Sequence, residues 1–227
     1  MIRGYLFDLD GTLIDSERET AEAMARALER RHGIAIEQCD RDFIIGRSWI
    51  AIYDSLRLRY PALTWTRDEM IAHTKSLRDE VFAEVGVTVL PGARDVLAWT
   101  AGAKRGLVTG SSRAEVRQVL PLIGADARFD VIVAAEDVAR SKPAPDGYHA
   151  ALAALGLRGH ECLVVEDSPA GIAAARAAGC LVVAARAGNF GGWDQSDAHR
   201  VIETLEELTP SLVDRLWEDY GLDMGAP

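Results

Sequence analysis

Five short apolar runs constrain this chain more than any other feature. Tyr5-Leu6-Phe7, Gly106-Leu107-Val108, Val131-Ile132-Val133, Leu163-Val164-Val165 and Leu181-Val182-Val183 are continuous rather than alternating. A strand with one wet face alternates apolar and polar residues. Unbroken runs are therefore expected where both faces are buried, as in a parallel sheet covered by helices. The segments between them carry helix patterns with stops: Ser112 to Leu122 is followed by Gly124, and Pro169 to Ala178 by Gly179. Strand and helix alternating in this way predict an α/β chain with a doubly wound parallel sheet.

One stretch breaks the rhythm. From about Asp15 to Gly86 no strand pattern is visible, and Ser16 to Arg31, Trp49 to Tyr60 and Arg67 to Glu84 have helical character. A single crossover needs far fewer residues, so residues 15–86 are expected to form an inserted helical domain and residues 1–14 with 87–227 the core. The insertion starts just past the carboxyl end of the first strand, where a cover over a site would have to begin.

Charge narrows the function. A formal net charge of −10 repels a polyphosphate backbone, and no run of Lys and Arg forms a basic stripe, so nucleic acid is not an expected partner. The amino-terminal apolar run is too short for a signal peptide or a membrane span, which makes a cytoplasmic protein without a membrane partner the default expectation. Cys39, Cys162 and Cys180 have no metal-type spacing and are expected to be reduced core thiols. Gly188 to Trp193 is expected to be a surface loop.

Chemistry gathers at the strand ends. Asp8 and Asp10 follow the first strand two residues apart, so they can converge beyond the sheet, and Gly11 and Thr12 follow them. Paired acids at such a place need a counter-charge, and a hard divalent cation is the natural one. Thr109-Gly110-Ser111-Ser112 offers hydroxyls and amides to a phosphate where the second strand feeds a helix, though Ser112 also suits a helix cap. Lys142 stands between Ser141 and Pro143-Ala144-Pro145 as a fixed point charge. Glu166-Asp167-Ser168 supplies a second acid pair after the strand at Val165.

Acids, then hydroxyls, then a lysine, then acids, each at the end of a successive buried strand, supply what phosphoryl transfer to an aspartate requires. In these motifs, in Leu90-Pro91-Gly92 and in Glu166-Asp167-Ser168-Pro169-Ala170-Gly171-Ile172, the chain resembles the haloacid dehalogenase superfamily, in its phosphatase and phosphomutase branch. The resemblance implies a Rossmann-like core with a helical cap and a Mg²⁺-dependent phosphatase acting on a small phosphorylated metabolite. It implies Asp8 as nucleophile, Asp10 as acid and base, and Lys142 as the cation offsetting charge on Asp8 and the phosphate. It implies phosphate binding by Thr109, Gly110 and Ser111, and metal binding by Asp8, Asp10 through its main-chain carbonyl, Asp167 and Glu166. Asp10 separates the chain from the dehalogenating members, which lack this acid.

The cap is expected to choose the substrate. Arg47, in Gly46-Arg47-Ser48, and Arg113, after the second motif, are candidate anion contacts. β-Phosphoglucomutase carries a histidine at the position matching Thr20, so a phosphosugar mutase is the weaker alternative. A phosphate-sensing module is the non-enzyme alternative, which the intact Asp10 and the large cap argue against. A monomer or weak homo-oligomer is expected.

Overall fold

A computed structural model describes residues 1–124 and 128–221. The strands are β1 (Gly4–Phe7), β2 (Ile14–Asp15), β3 (Thr88–Val89), β4 (Lys104–Val108), β5 (Val131–Val133), β6 (Cys162–Glu166), β7 (Leu181–Ala185) and β8 (Arg200–Ile202). The helices are α1 (Glu17–His32), α2 (Gln38–Ile44), α3 (Trp49–Arg59), α4 (Arg67–Val85), α5 (Ala93–Trp99), α6 (Arg113–Ile123), α7 (Asp146–Leu155), α8 (Pro169–Ala177) and α9 (Pro210–Leu216). Contacts divide the chain into two compact units. One holds residues 1–15, 88–189 and 193–227, and the other 16–87 and 190–192.

The first unit is built on a parallel six-stranded sheet in the order β5-β4-β1-β6-β7-β8, the doubly wound class expected. All five apolar runs are strands. Leu6, Val108, Val164 and Val182 are buried in one cluster with Tyr148, Leu152, Ile172 and Ala175 from α7 and α8, and their neighbours Phe7, Leu107, Val165 and Val183, which point to the opposite face, are buried as well, which is why those runs do not alternate. Strand β1 sits between β4 and β6, and the chain winds outward from it in both directions. The carboxyl end of β1 is therefore the switch point where an open α/β sheet leaves a crevice. The short β2 and β3 pair antiparallel.

The second unit is helical. Ala21, Met24 and Leu28 of α1 pack with Ile44 of α2, Ile52 and Leu56 of α3 and Met70 of α4. Trp49 and Trp65 pack against this cluster. Helix α4 opens on a capping box between Thr66 and Glu69, and α1 closes on Gly33 at φ 65°.

One expectation fails. Cys162 and Cys180 are buried thiols, but Cys39 is exposed. It lies on α2, a short polar helix with no apolar period to reveal it, and its sulfur meets the Arg59 guanidinium at 3.1 Å. Residues 188–193 form no helix or strand and Phe190 to Trp193 are exposed, the surface loop expected, with buried Gly188 anchoring its start: a Cβ there would lie 1.9 Å from the Gly11 carbonyl oxygen, so the chain at that point is pressed against the first acidic loop.

Candidate active site

Asp8 is placed by the sheet itself. Its amide still donates to the Val165 carbonyl at 3.0 Å, so the residue continues the β1 ladder into the switch point, where its side chain is buried. Asp10 follows, and Gly11 turns the chain at φ 82°. A Cβ on Gly11 would come within 2.3 Å of an Asp167 oxygen, so only glycine lets the two acidic loops meet.

Lys142 uses all three of its ammonium donors. Nζ bonds Asp8 Oδ1 at 2.5 Å, Glu166 Oε1 at 2.6 Å and the Val108 carbonyl at 2.9 Å. Burial works against its charge, but the Asp8 and Glu166 carboxylates outweigh burial and hold its pKa above the usual lysine value. The Asp8 carboxyl is pushed up to about 7 by burial and by the charges of Glu166 and Asp10, against the pull of Lys142. Burial, then Glu166 and Asp8, also raise Asp167 well above the usual carboxylate range.

Glu166 is completely buried and fully engaged. Oε1 accepts from Lys142 and, at 2.7 Å, from the Tyr148 hydroxyl. Oε2 accepts from the amides of Asp167 and Ser168 at 3.2 and 3.3 Å and from Ser168 Oγ at 3.1 Å. Both oxygens take hydrogen bonds, and Oε1 holds Lys142 in place. The Ser168 hydroxyl also caps α8 by accepting from the Gly171 amide.

The hydroxyl loop after β4 connects to the first loop. Thr109 donates its amide to the Val133 carbonyl, and its Oγ1 accepts from the Ser111 amide at 3.0 Å. Ser111 Oγ donates to Asp10 Oδ2 at 2.5 Å. Gly110 is exposed, and nothing lies within 4 Å of where its Cβ would be, so its backbone has room for a ligand. Ser112 caps α6 in a box with Glu115. A cavity of about 290 Å³ adjoins this loop, lined by Thr109, Gly110, Ser141, Lys142 and Tyr148 among others.

Oxygens of Asp8, Glu166 and Asp167 lie within 4.8 Å of one another. Hard carboxylate donors, together with raised Asp8 and Asp167 values caused partly by mutual repulsion, fit a divalent cation such as Mg²⁺. The carboxylate of Asp10 is not in that cluster; one of its oxygens takes the Ser111 hydroxyl.

Two substrate-contact candidates remain. Arg113 opens α6, and its guanidinium bonds the Asp137 carboxylate. Arg47 belongs to the helical unit, with its guanidinium 5.3 Å from the Phe43 ring centre. Sequence reasoning missed Tyr148 and Gln195. Tyr148 lies six residues past Lys142, the span that brings the first turn of α7 under the loop, which was a usable signal. Gln195, whose Nε2 donates to the Asp167 carbonyl at 2.6 Å, had none.

Residues 2–179 match the family described as haloacid dehalogenase-like hydrolase. The chain belongs to that family and is a hydrolase of its class. Among its relatives, hexitol phosphatase A of Escherichia coli is 40% identical over 91% of this chain and 93% of its own length. Validoxylamine A 7'-phosphate phosphatase of Streptomyces hygroscopicus is 35% identical over 81% and 85%. Phosphoglycolate phosphatase of Yersinia pestis is 34% identical over 84% of each. Among solved structures, CbbY of Rhodobacter sphaeroides, in complex with phosphate, superposes with a TM-score of 0.72 at 24% identity, covering 92% of this chain and 96% of that one. β-Phosphoglucomutase of Clostridium difficile gives 0.71 at 22%, covering 98% and 100%. At these identities the structures speak to the fold. Among the described residues no helix is long and apolar enough to cross a membrane.

Proposed function

We propose that the protein is a Mg²⁺-dependent phosphatase of small phosphorylated metabolites that works through a phosphoryl group carried on Asp8. The observation that carries this reading is the state of Asp8: buried at the switch point, with Lys142 on Oδ1 and no hydrogen bond to Oδ2 among the described residues. Oδ2 attacks phosphorus, forming an O–P bond as the bond to the ester oxygen breaks, and Asp10 gives that oxygen its proton. Asp10 then takes a proton from the water that attacks the phosphoryl group, which releases inorganic phosphate and restores Asp8. Ser111 holds the Asp10 carboxyl for both transfers, Thr109 and the Gly110 amide bind the phosphoryl oxygens, and Lys142 offsets charge on Asp8. Asp8, Asp167 and the Asp10 carbonyl would hold Mg²⁺, with Glu166 alongside; the bound ion neutralises charge so that an anionic carboxylate can approach an anionic phosphate.

The substrate class is a phosphorylated polyol or sugar, or a short acid such as phosphoglycolate, as the names of the relatives suggest. We assign the helical insertion, residues 15–86, the role of a substrate-selecting cap, and Arg47 and Arg113 the role of contacts to the part of the substrate that leaves. Water as acceptor is supported by Thr20, whose hydroxyl is bonded back to the Ser16 carbonyl at 2.7 Å and so offers no proton-carrying group in place of the mutase histidine. Phosphate release from hexitol phosphates, sugar phosphates and phosphoglycolate with Mg²⁺ tests the reading. Release by the wild type and its loss in a folded Asp8→Asn variant are expected. Isomerisation of β-glucose 1-phosphate without phosphate release would favour the mutase, and unchanged turnover in Asp8→Asn would overturn the mechanism.

A further inference from the structure

The chain after β7 makes contacts that the chemistry above does not use. Gln195 is only 5% exposed, and its Nε2 donates to two main-chain carbonyls, Asp167 at 2.6 Å and Ala185 at 3.0 Å. Asp167 is the first residue past β6 and Ala185 the last of β7, and the β6–β7 pairing ends at Glu166 and Ala184. Beyond that pair the ladder stops, and the two carbonyls need donors from elsewhere. One carboxamide nitrogen carries two hydrogens, so a single side chain serves both.

The segment around Gln195 is shaped to deliver it. Asn189 closes the excursion that precedes it: Nδ2 donates to the Trp193 carbonyl at 2.8 Å, and Oδ1 accepts the Trp193 amide at 2.9 Å. The Gln195 carbonyl then accepts the Ala198 amide at 3.0 Å, a turn that fixes its backbone. Gly188, just before Asn189, is the residue pressed against the Gly11 carbonyl. A single stretch of chain therefore holds both loops that carry the acids.

We propose that Gln195 is a positioning residue for the cation site, setting the direction in which Asp167 presents its carboxylate; this rests on Asp167 being a cation ligand, as read above. Among the described residues the Asp167 side chain has only a long hydrogen bond to hold it, from Thr12 Oγ1 at 3.4 Å. Its backbone is what is fixed: the amide by Glu166 Oε2, and the carbonyl by Gln195. Partners that orient a ligand from behind typically account for about 10–100-fold in metal affinity or activity.

Gln195→Met keeps the length of the side chain and removes both donors. Mn²⁺ binding, measured without substrate by the paramagnetic resonance of the free ion, is expected to weaken about 10–100-fold. Turnover at saturating Mn²⁺ is expected to change far less. Asn189→Ala, which loosens the segment without emptying a buried position, is expected to weaken Mn²⁺ binding by a smaller factor and decides the matter if Gln195→Met does not fold. A lowered melting temperature with unchanged Mn²⁺ affinity would mean that Gln195 is only structural and would overturn the proposal. A wild type that binds Mn²⁺ but releases no phosphate would remove the functional reading and leave this one standing. A wild type that binds no Mn²⁺ would remove both.

Discussion

Replacing Lys142 by methionine should damage both folding and turnover, and the structure says by how much. The ammonium lies 2.5 Å from Asp8 and 2.6 Å from Glu166. At an effective dielectric of about 20, each pair attracts by roughly 6–7 kcal/mol, which is offset by the several kcal/mol needed to strip water from a buried ion. Losing one partner of such a buried set costs about 3–5 kcal/mol, because the other charges stay buried without it. Here two carboxylates and the Val108 carbonyl are abandoned together, so the upper part of that range is expected. The assay is urea unfolding of wild type and Lys142→Met at pH 7.5 with EDTA, where no cation masks the loss. Adding Glu166→Gln removes one of the abandoned charges while keeping the shape, and it should recover about 1–3 kcal/mol as a coupling between touching residues. With Mg²⁺ restored, Lys142→Met should still turn over about 10²–10³-fold more slowly, the usual cost of a missing electrostatic stabiliser. A Lys142→Met protein as stable as wild type, with no recovery from Glu166→Gln, would refute the reasoning.

Three further outcomes follow from single contacts. Gly171→Ala would put a Cβ 1.8 Å from Glu166 Oε1, so unfolding free energy should fall by about 1–3 kcal/mol, although alanine is the better helix former. Ser111→Ala removes the hydroxyl on Asp10 Oδ2 and should lower kcat, with little change in Mg²⁺ half-saturation, in steady-state phosphate release. His199 is held at a pKa of about 4 by burial and by the Arg176 guanidinium, while its Nδ1 accepts the Val182 amide. Its stabilising contribution is therefore complete above about pH 6.5 and is lost as the pH falls towards about 4, since the unfolded chain takes up the proton first. Urea unfolding at successive pH values should show this fall, and His199→Asn should flatten it.

Much of the fold could be read from the sequence because burial writes itself into side chains. Runs such as Leu163-Val164-Val165 have no polar residue because β6 has no wet face. Strand β8 went unread because Arg200-Val201-Ile202 is short and partly exposed, so its pattern carries little signal. Helix α2 was missed for a similar reason: Asp40 and Ile44 are its buried positions, too few for a period. In the site, Asp8 and Glu166 were visible because charged residues at the ends of apolar strands are uncommon without a purpose, and Lys142 because Pro143 and Pro145 mark the loop that carries it. What each does was less visible. Glu166 reads as a ligand in sequence and does lie in the acidic cluster, but its hydrogen bonds to Lys142, Tyr148 and the amides of Asp167 and Ser168 are long-range or main-chain contacts that no residue pattern marks. Gln195 lies ten residues past β7 in a stretch without period, and its partners are main-chain carbonyls, which no residue pattern marks.

The central claim is that phosphate passes through Asp8. Acid quenching during turnover of a ³²P-labelled substrate, followed by peptide mapping, tests it most directly. The account predicts a label that is stable in acid and released by alkali, located on the peptide containing Asp8, chased into free phosphate by unlabelled substrate, and missing in Asp8→Asn. Phosphate released by wild type with no labelled protein at any time, together with persisting turnover in Asp8→Asn, would contradict it.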